Sequence, residues 1–133
     1  MDSKRVIEAL FGVRRALIGA VHVDALPGTP ANRRGVAEIA EDAVRDARVY
    51  EAAGFDGVIV ENMHDRPYLK AAAGPEVTAA MTAIGVEVRR AVALPLGIQV
   101  LAGANQCAVA VAHACGSSCA WRASCSRMWP MRV

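Results

Sequence analysis

The sequence predicts an α/β fold built on a parallel sheet, and three observations carry that prediction. Apolar residues fill 54% of the 133 positions while aromatics fill 5%. That mix, rich in Ala, Val and Gly, suits helices packed closely on a parallel sheet. Short strand-like runs alternate three times with segments of helical period. The joins are unequal, with short connections from helix to strand and longer loops after each strand. Such asymmetry is typical of βα units whose strand C-termini carry the site. Right-handed crossovers would set the strands parallel.

A short opening helix spans Ser3 to Phe11, with Val6, Ile7, Leu10 and Phe11 on one face. Leu17 to Val23 reads as the first strand, and it runs into the loop Asp24 to Arg34, stiffened by two prolines and Gly28. Gly35 to Ala53 is a strong amphipathic helix, with Val36, Ile39, Ala40, Ala43, Val44, Ala47 and Tyr50 at helical spacing. Glu38, Glu41 and Asp42 near its start suit the helix dipole, and Gly54 is a natural stop. The second strand runs from Gly57 to Val60, closed by Glu61 and Asn62. The loop Met63 to Gly74 follows. Pro75 fits the first turn of the next helix, where a missing N–H costs nothing. Val77, Met81, Ile84 and Val88 form its stripe, and Arg89 and Arg90 lie in its last turn. Leu96 to Leu101 is the third strand, and Ala104 to Cys115 a further alanine-rich helix.

Composition narrows the function. A net charge of +2 implies no pull toward nucleic acid or anionic lipid. No apolar run reaches the ~18 residues of a membrane span, and the N-terminus lacks the features of a secretory signal. A cytoplasmic protein is therefore expected. The four cysteines, Cys107, Cys115, Cys119 and Cys125, contain no Cys-x-x-Cys pair, so a zinc knuckle is disfavoured. Two small buried thiols and an accidental pair are expected instead.

Four ordered blocks are more specific than any of this. They are Ile18-Gly19-Ala20-Val21-His22 with Leu26-Pro27-Gly28-Thr29-Pro30, then Ala53 through Asn62, Pro75 through Thr82, and Pro95 through Leu101. In order and spacing, residues 15–116 resemble the BtpA/SgcQ family, related to the ribulose-phosphate-binding barrels. The resemblance implies a (β/α)8 TIM barrel of which residues 1–116 supply the N-terminal three βα units after a short helix. Family members are named as photosystem I biogenesis factors or, loosely, as phosphoribosylanthranilate isomerases. The implied function is thus a barrel enzyme acting on a small sugar-like, nucleoside-like or phosphorylated compound, or else a non-catalytic assembly factor. A homo-oligomer is implied for a full-length relative. The match departs at the third strand's end. Many members carry Asn-Val-Leu-Arg-Asn-Asp there, and this chain has Gln99-Val100-Leu101-Ala102-Gly103-Ala104-Asn105.

Residues 117–133 show neither helical nor strand period and hold both tryptophans and two cysteines. They read as an unstructured, out-of-frame tail. Codon choices exist that, read two bases on, restore an alternating strand, so the gene's nucleotide sequence tests this reading. Three strands cannot close a barrel of about 250 residues. Strands one and three would keep open edges, and the helices would cover one face only, which predicts a poorly folded or self-associating chain.

The candidate site gathers at the strand C-termini. His22 ends the first strand, and imidazole can serve as acid, base or metal ligand near neutral pH. Glu61 ends the second strand and can act as general base or metal ligand. These two are the catalytic candidates, and a divalent metal could join them. Asp24, Asn62 and Gln99 are the substrate-binding candidates. Asp24 could instead stabilise its own turn. Gln99 interrupts an apolar strand and needs a polar partner, which a barrel mouth beside His22 and Glu61 would supply. Asp65 and Arg66 are weaker candidates in a loop that could be merely solvated. Asn105 reads as a helix cap, and Arg33 and Arg34 as a solvated helix entry. No phosphate-loop signature is present.

Overall fold

A computed structural model describes residues 3–69, 73–101, 103–117 and 119–120 of the chain. Its elements are α1 (Ser3–Phe11), β1 (Ile18–His22), α2 (Val36–Ala52), β2 (Gly57–Glu61), α3 (Pro75–Ala91), β3 (Leu96–Gln99), α4 (Asn105–Cys115) and β4 (Cys119–Ala120). The expected order of one helix and three strand-helix units is present, with ends moved by one or two residues. Gly35 is the N-cap of α2, and the Glu38 carboxylate accepts its N–H at 2.9 Å, as the acidic first turn suggested. Beyond the last turn of α2, Gly54 sits at φ 82°, a conformation that only glycine adopts without strain. Pro75 occupies the first turn of α3, and Arg89 and Arg90 its last.

All described strands pair parallel in the order β1-β2-β3-β4. Side chains alternate between faces along each strand, and register then aligns them across the sheet. Val21, Val60 and Ile98 form one row, all fully buried on the face covered by the helices. Met81 and Ile84 of α3, Ile39 of α2 and Val111 of α4 complete that core. Tyr50 fixes the packing of α2. Its ring lies so close to Gly19 that a Cβ there would stand 2.4 Å from Cγ, and its hydroxyl donates to the Ala20 carbonyl at 3.0 Å. Phe55 packs against the same ring, 4.8 Å between centroids.

The opposite row carries the candidate site residues. His22, Glu61 and Gln99 are register partners across three strands, so one face and one end of the sheet carry all three. At the other end, the Phe11 ring at the close of α1 lies against Gly57. The expectation that helices cover a single face therefore needs adjusting, because α1 reaches the N-terminal end of the second face.

Two further expectations are corrected. Leu96–Gln99 is shorter than the third strand read from the sequence, because Leu101 turns away to bond with a loop side chain. Asn105 is the first residue of α4 rather than its cap; Ala104 holds the cap position without a side-chain bond. The pairing of β3 with β4 shows that regular structure continues past Gly116, where the sequence reading ended it. One expected open edge, that of β3, is therefore partly covered. The rest of the expected tail, residues 121–133, lies outside the described residues.

Candidate functional site

His22 and Glu61 meet at the C-terminal ends of β1 and β2. The imidazole Nε2 stands 2.6 Å from Glu61 Oε1. The two side chains differ in exposure: 42% for His22 and 10% for Glu61. A buried carboxylate thus holds one nitrogen of a ring that is open to solvent. A carboxylate only accepts, so this contact favours the tautomer with hydrogen on Nε2 and leaves Nδ1 for a ligand. A neighbouring carboxylate of this kind orients many catalytic histidines. The backbone reinforces it, because the Val23 N–H donates to the Glu61 carbonyl at 3.0 Å.

Gln99 is next in the row, partly exposed, on the neighbouring strand. Among the described residues its amide has no side-chain hydrogen bond, which leaves it available at the same rim. Asp24 is exposed on the loop after β1. Its Oδ1 accepts the Ala25 N–H at 2.8 Å, which is the turn-stabilising role weighed for it. Its other oxygen lies 3.7 Å from the Arg34 guanidinium. Arg34 is therefore not a merely solvated residue; it bridges toward Asp24 while hydrogen-bonding Asp42. That bond to Arg34, with a second from Arg45, holds the Asp42 carboxyl below the usual carboxylate range.

Asn62 and Asp65 do something the sequence did not reveal. Both are buried. The Asp65 carboxylate accepts the Leu26 N–H at 2.7 Å with one oxygen and the Asn62 amide N–H at 3.0 Å with the other. The Asn62 carbonyl oxygen accepts the Leu101 N–H at 2.7 Å. Two adjacent side chains from the β2 loop thus tie down the β1 loop on one side and the β3 loop on the other. Asn62, a substrate-binding candidate, has its amide oxygen and one amide N–H committed to this bracket. Asp65, read as a weak loop candidate, is its hub. No periodicity could have found it, since its partner Leu26 is 39 residues away. The only signal was a polar triplet, Glu61-Asn62 and Asp65, at a strand end.

Arg66 is exposed, and its guanidinium lies 6.0 Å from the Tyr68 ring centre. Among the described residues no group of three or more His, Cys, Asp or Glu side chains is placed to hold a metal ion. His22 and Glu61 are two such ligands side by side. Cys107 and Cys115 are buried free thiols, and burial pushes the Cys115 thiol up. Cys107 lies 3.0 Å from the Thr78 hydroxyl. Among the described residues no helix is long and apolar enough to cross a membrane.

Comparison with known proteins matches the BtpA family over residues 13–122, six residues past Gly116. An uncharacterized protein of Pyrococcus furiosus is 47% identical over 107 residues, covering 79% of this chain and 40% of that protein. An uncharacterized mitochondrial protein of Caenorhabditis elegans is 41% identical over 122 residues, 87% of this chain and 44% of that one. The photosystem I biogenesis protein BtpA of Synechocystis is 35% identical over 107 residues, covering 80% of this chain and 37% of that protein. The chain therefore spans about two fifths of the length of these relatives.

Proposed function

The chain belongs to the BtpA family, and from that premise we propose that it forms the N-terminal part of a (β/α)8 barrel whose strand-end rim binds and turns over a small polar metabolite. The observation that supports this reading is the 2.6 Å contact between exposed His22 and buried Glu61. His22 Nδ1 takes or returns a proton on the substrate, and Glu61 stabilises the imidazolium that forms. Gln99 hydrogen-bonds a substrate hydroxyl or carbonyl beside them. Asn62 and Asp65 are positioning residues that hold the three loops in one arrangement. A divalent metal, where one binds, would take His22 and Glu61 as two of its ligands and act as a Lewis acid. The substrate class is sugar-like or nucleoside-like, with a phosphate held by parts of the barrel that residues 1–116 do not supply.

That the Synechocystis relative is a photosystem I biogenesis protein supports a second reading, a non-catalytic factor in assembly of a photosynthetic complex. Thermal unfolding of a full-length relative, screened against sugar phosphates and divalent metals, separates the two. The enzyme reading expects a rise in Tm that is lost when the residues matching His22 and Glu61 are replaced by Ala and Gln. Co-purification with a membrane complex and no response to any ligand would support the assembly reading instead.

A further inference from the structure

On the outer face of the molecule, away from the strand ends, α2 and α3 enclose an open groove lined by Val44, Val49 and Val86. Val49 is 63% exposed, so apolar surface at this groove stands open to water. The charged groups around the groove are not equivalent. Arg45 and Arg34 are both committed to Asp42, and Glu87 to Arg90. Among the described residues Glu41 and Arg48 have no ion-pair partner, although both are exposed on α2.

Their positions follow a pattern. Glu41 and Arg48 are seven residues apart, two helical turns, and so share one face roughly 10 Å apart. That is too far to pair with each other. The same face carries Ala37 one turn before Glu41 and Ala52 one turn after Arg48. Reversing the direction of the helix about a point between Val44 and Arg45 exchanges Glu41 with Arg48 and Ala37 with Ala52. The stripe is self-complementary in the antiparallel sense, which is what a two-fold interface requires of a single surface.

We propose that this face of α2 docks against the same face of a second copy of the chain, antiparallel, across a two-fold axis near Val44. Glu41 then faces the partner's Arg48, and Arg48 the partner's Glu41. The alanines at either end let the two helices approach closely, as small residues do at helix contacts. Val44, Val49 and the groove wall at Val86 lose their water. Exposed charge pairs of this kind set register and orientation more than affinity, and the apolar groove supplies the attraction.

Sedimentation velocity of the full 133-residue chain over a wide concentration range tests the proposal through a charge exchange. The wild type is expected to dimerise. Arg48→Glu places like charges at both symmetry-related contacts and weakens the dimer by about tenfold or more. Glu41→Arg does the same. The double variant E41R/R48E restores opposite charges across the axis and recovers the wild-type constant. Ala52→Glu, at an exposed helix end, is a second disrupting change that touches no core residue, and far-UV circular dichroism shows that each variant keeps its helices. A monomeric wild type overturns the proposal. So does association that ignores all these changes, which would run through the sheet edge, and so does a double variant no better than the singles.

Discussion

Asp65→Asn isolates the loop bracket with the least change of shape. Both Asp65 oxygens accept from donors, the Leu26 N–H at 2.7 Å and the Asn62 amide at 3.0 Å. An asparagine in the same place has one oxygen and one NH2 group. Whichever way its amide turns, the NH2 faces a donor, so one buried bond is lost and one N–H left without an acceptor. A hydrogen bond to a charged group contributes ~1.5–3 kcal/mol, and a stranded buried donor costs ~1–3 kcal/mol. These are two views of one loss, so D65N should destabilise by about 2–3 kcal/mol. Asp65→Ala strands both donors and should cost about 3–5 kcal/mol. Because Asn62 and Asp65 act as a unit, N62A and D65A together should cost less than their sum by about 1–2 kcal/mol. Urea unfolding followed at 222 nm measures all four proteins. Values of D65N within about 0.5 kcal/mol of wild type, the range of ordinary surface changes, would refute the bracket. Strict additivity of the double variant would refute the shared role.

Other outcomes follow from the same geometry. Gly19→Ala drives a Cβ into the Tyr50 ring and should cost about 1–3 kcal/mol, measured by the same unfolding curves. Adding Tyr50→Ala removes the clash, so the pair should again fall short of additivity. Asp42, held low by Arg34 and Arg45, contributes stability that is complete above the ordinary carboxylate range. That contribution disappears as pH falls through its lowered folded value. Wild type and D42N should therefore differ in unfolding midpoint at neutral pH and converge in acid; a gap that widens in acid would contradict the assignment.

The scaffold was legible because it depends on local pattern. Short apolar runs put His22 and Glu61 at strand ends; the third strand closes at Gln99 rather than Leu101, and parallel register places all three in one row. Val77, Met81, Ile84 and Val88 face the core of α3 because helical period demanded it. The bracket was not legible, since Asp65 is buried by contacts with Leu26 and Asn62, and polar loop residues carry no period. The commitment of Arg34 to Asp42 and Asp24 likewise depends on how a loop folds back on a helix. The short strand Cys119–Ala120 lies where residue types argue for none. It forms because parallel pairing with Gly97 and Ile98 needs backbone groups, not particular side chains.

The central claim is that a buried carboxylate holds a solvent-open imidazole at the strand ends. Long-range 1H–15N correlation on histidine-labelled chain reads it directly, because His64 and His113 are exposed and serve as internal controls. Neutral His22 should show a single Nε2–H tautomer, and Glu61→Ala should release it to the mixed pattern of the other two. A His22 signal indistinguishable from those of His64 and His113, unmoved by the loss of Glu61, would contradict the account.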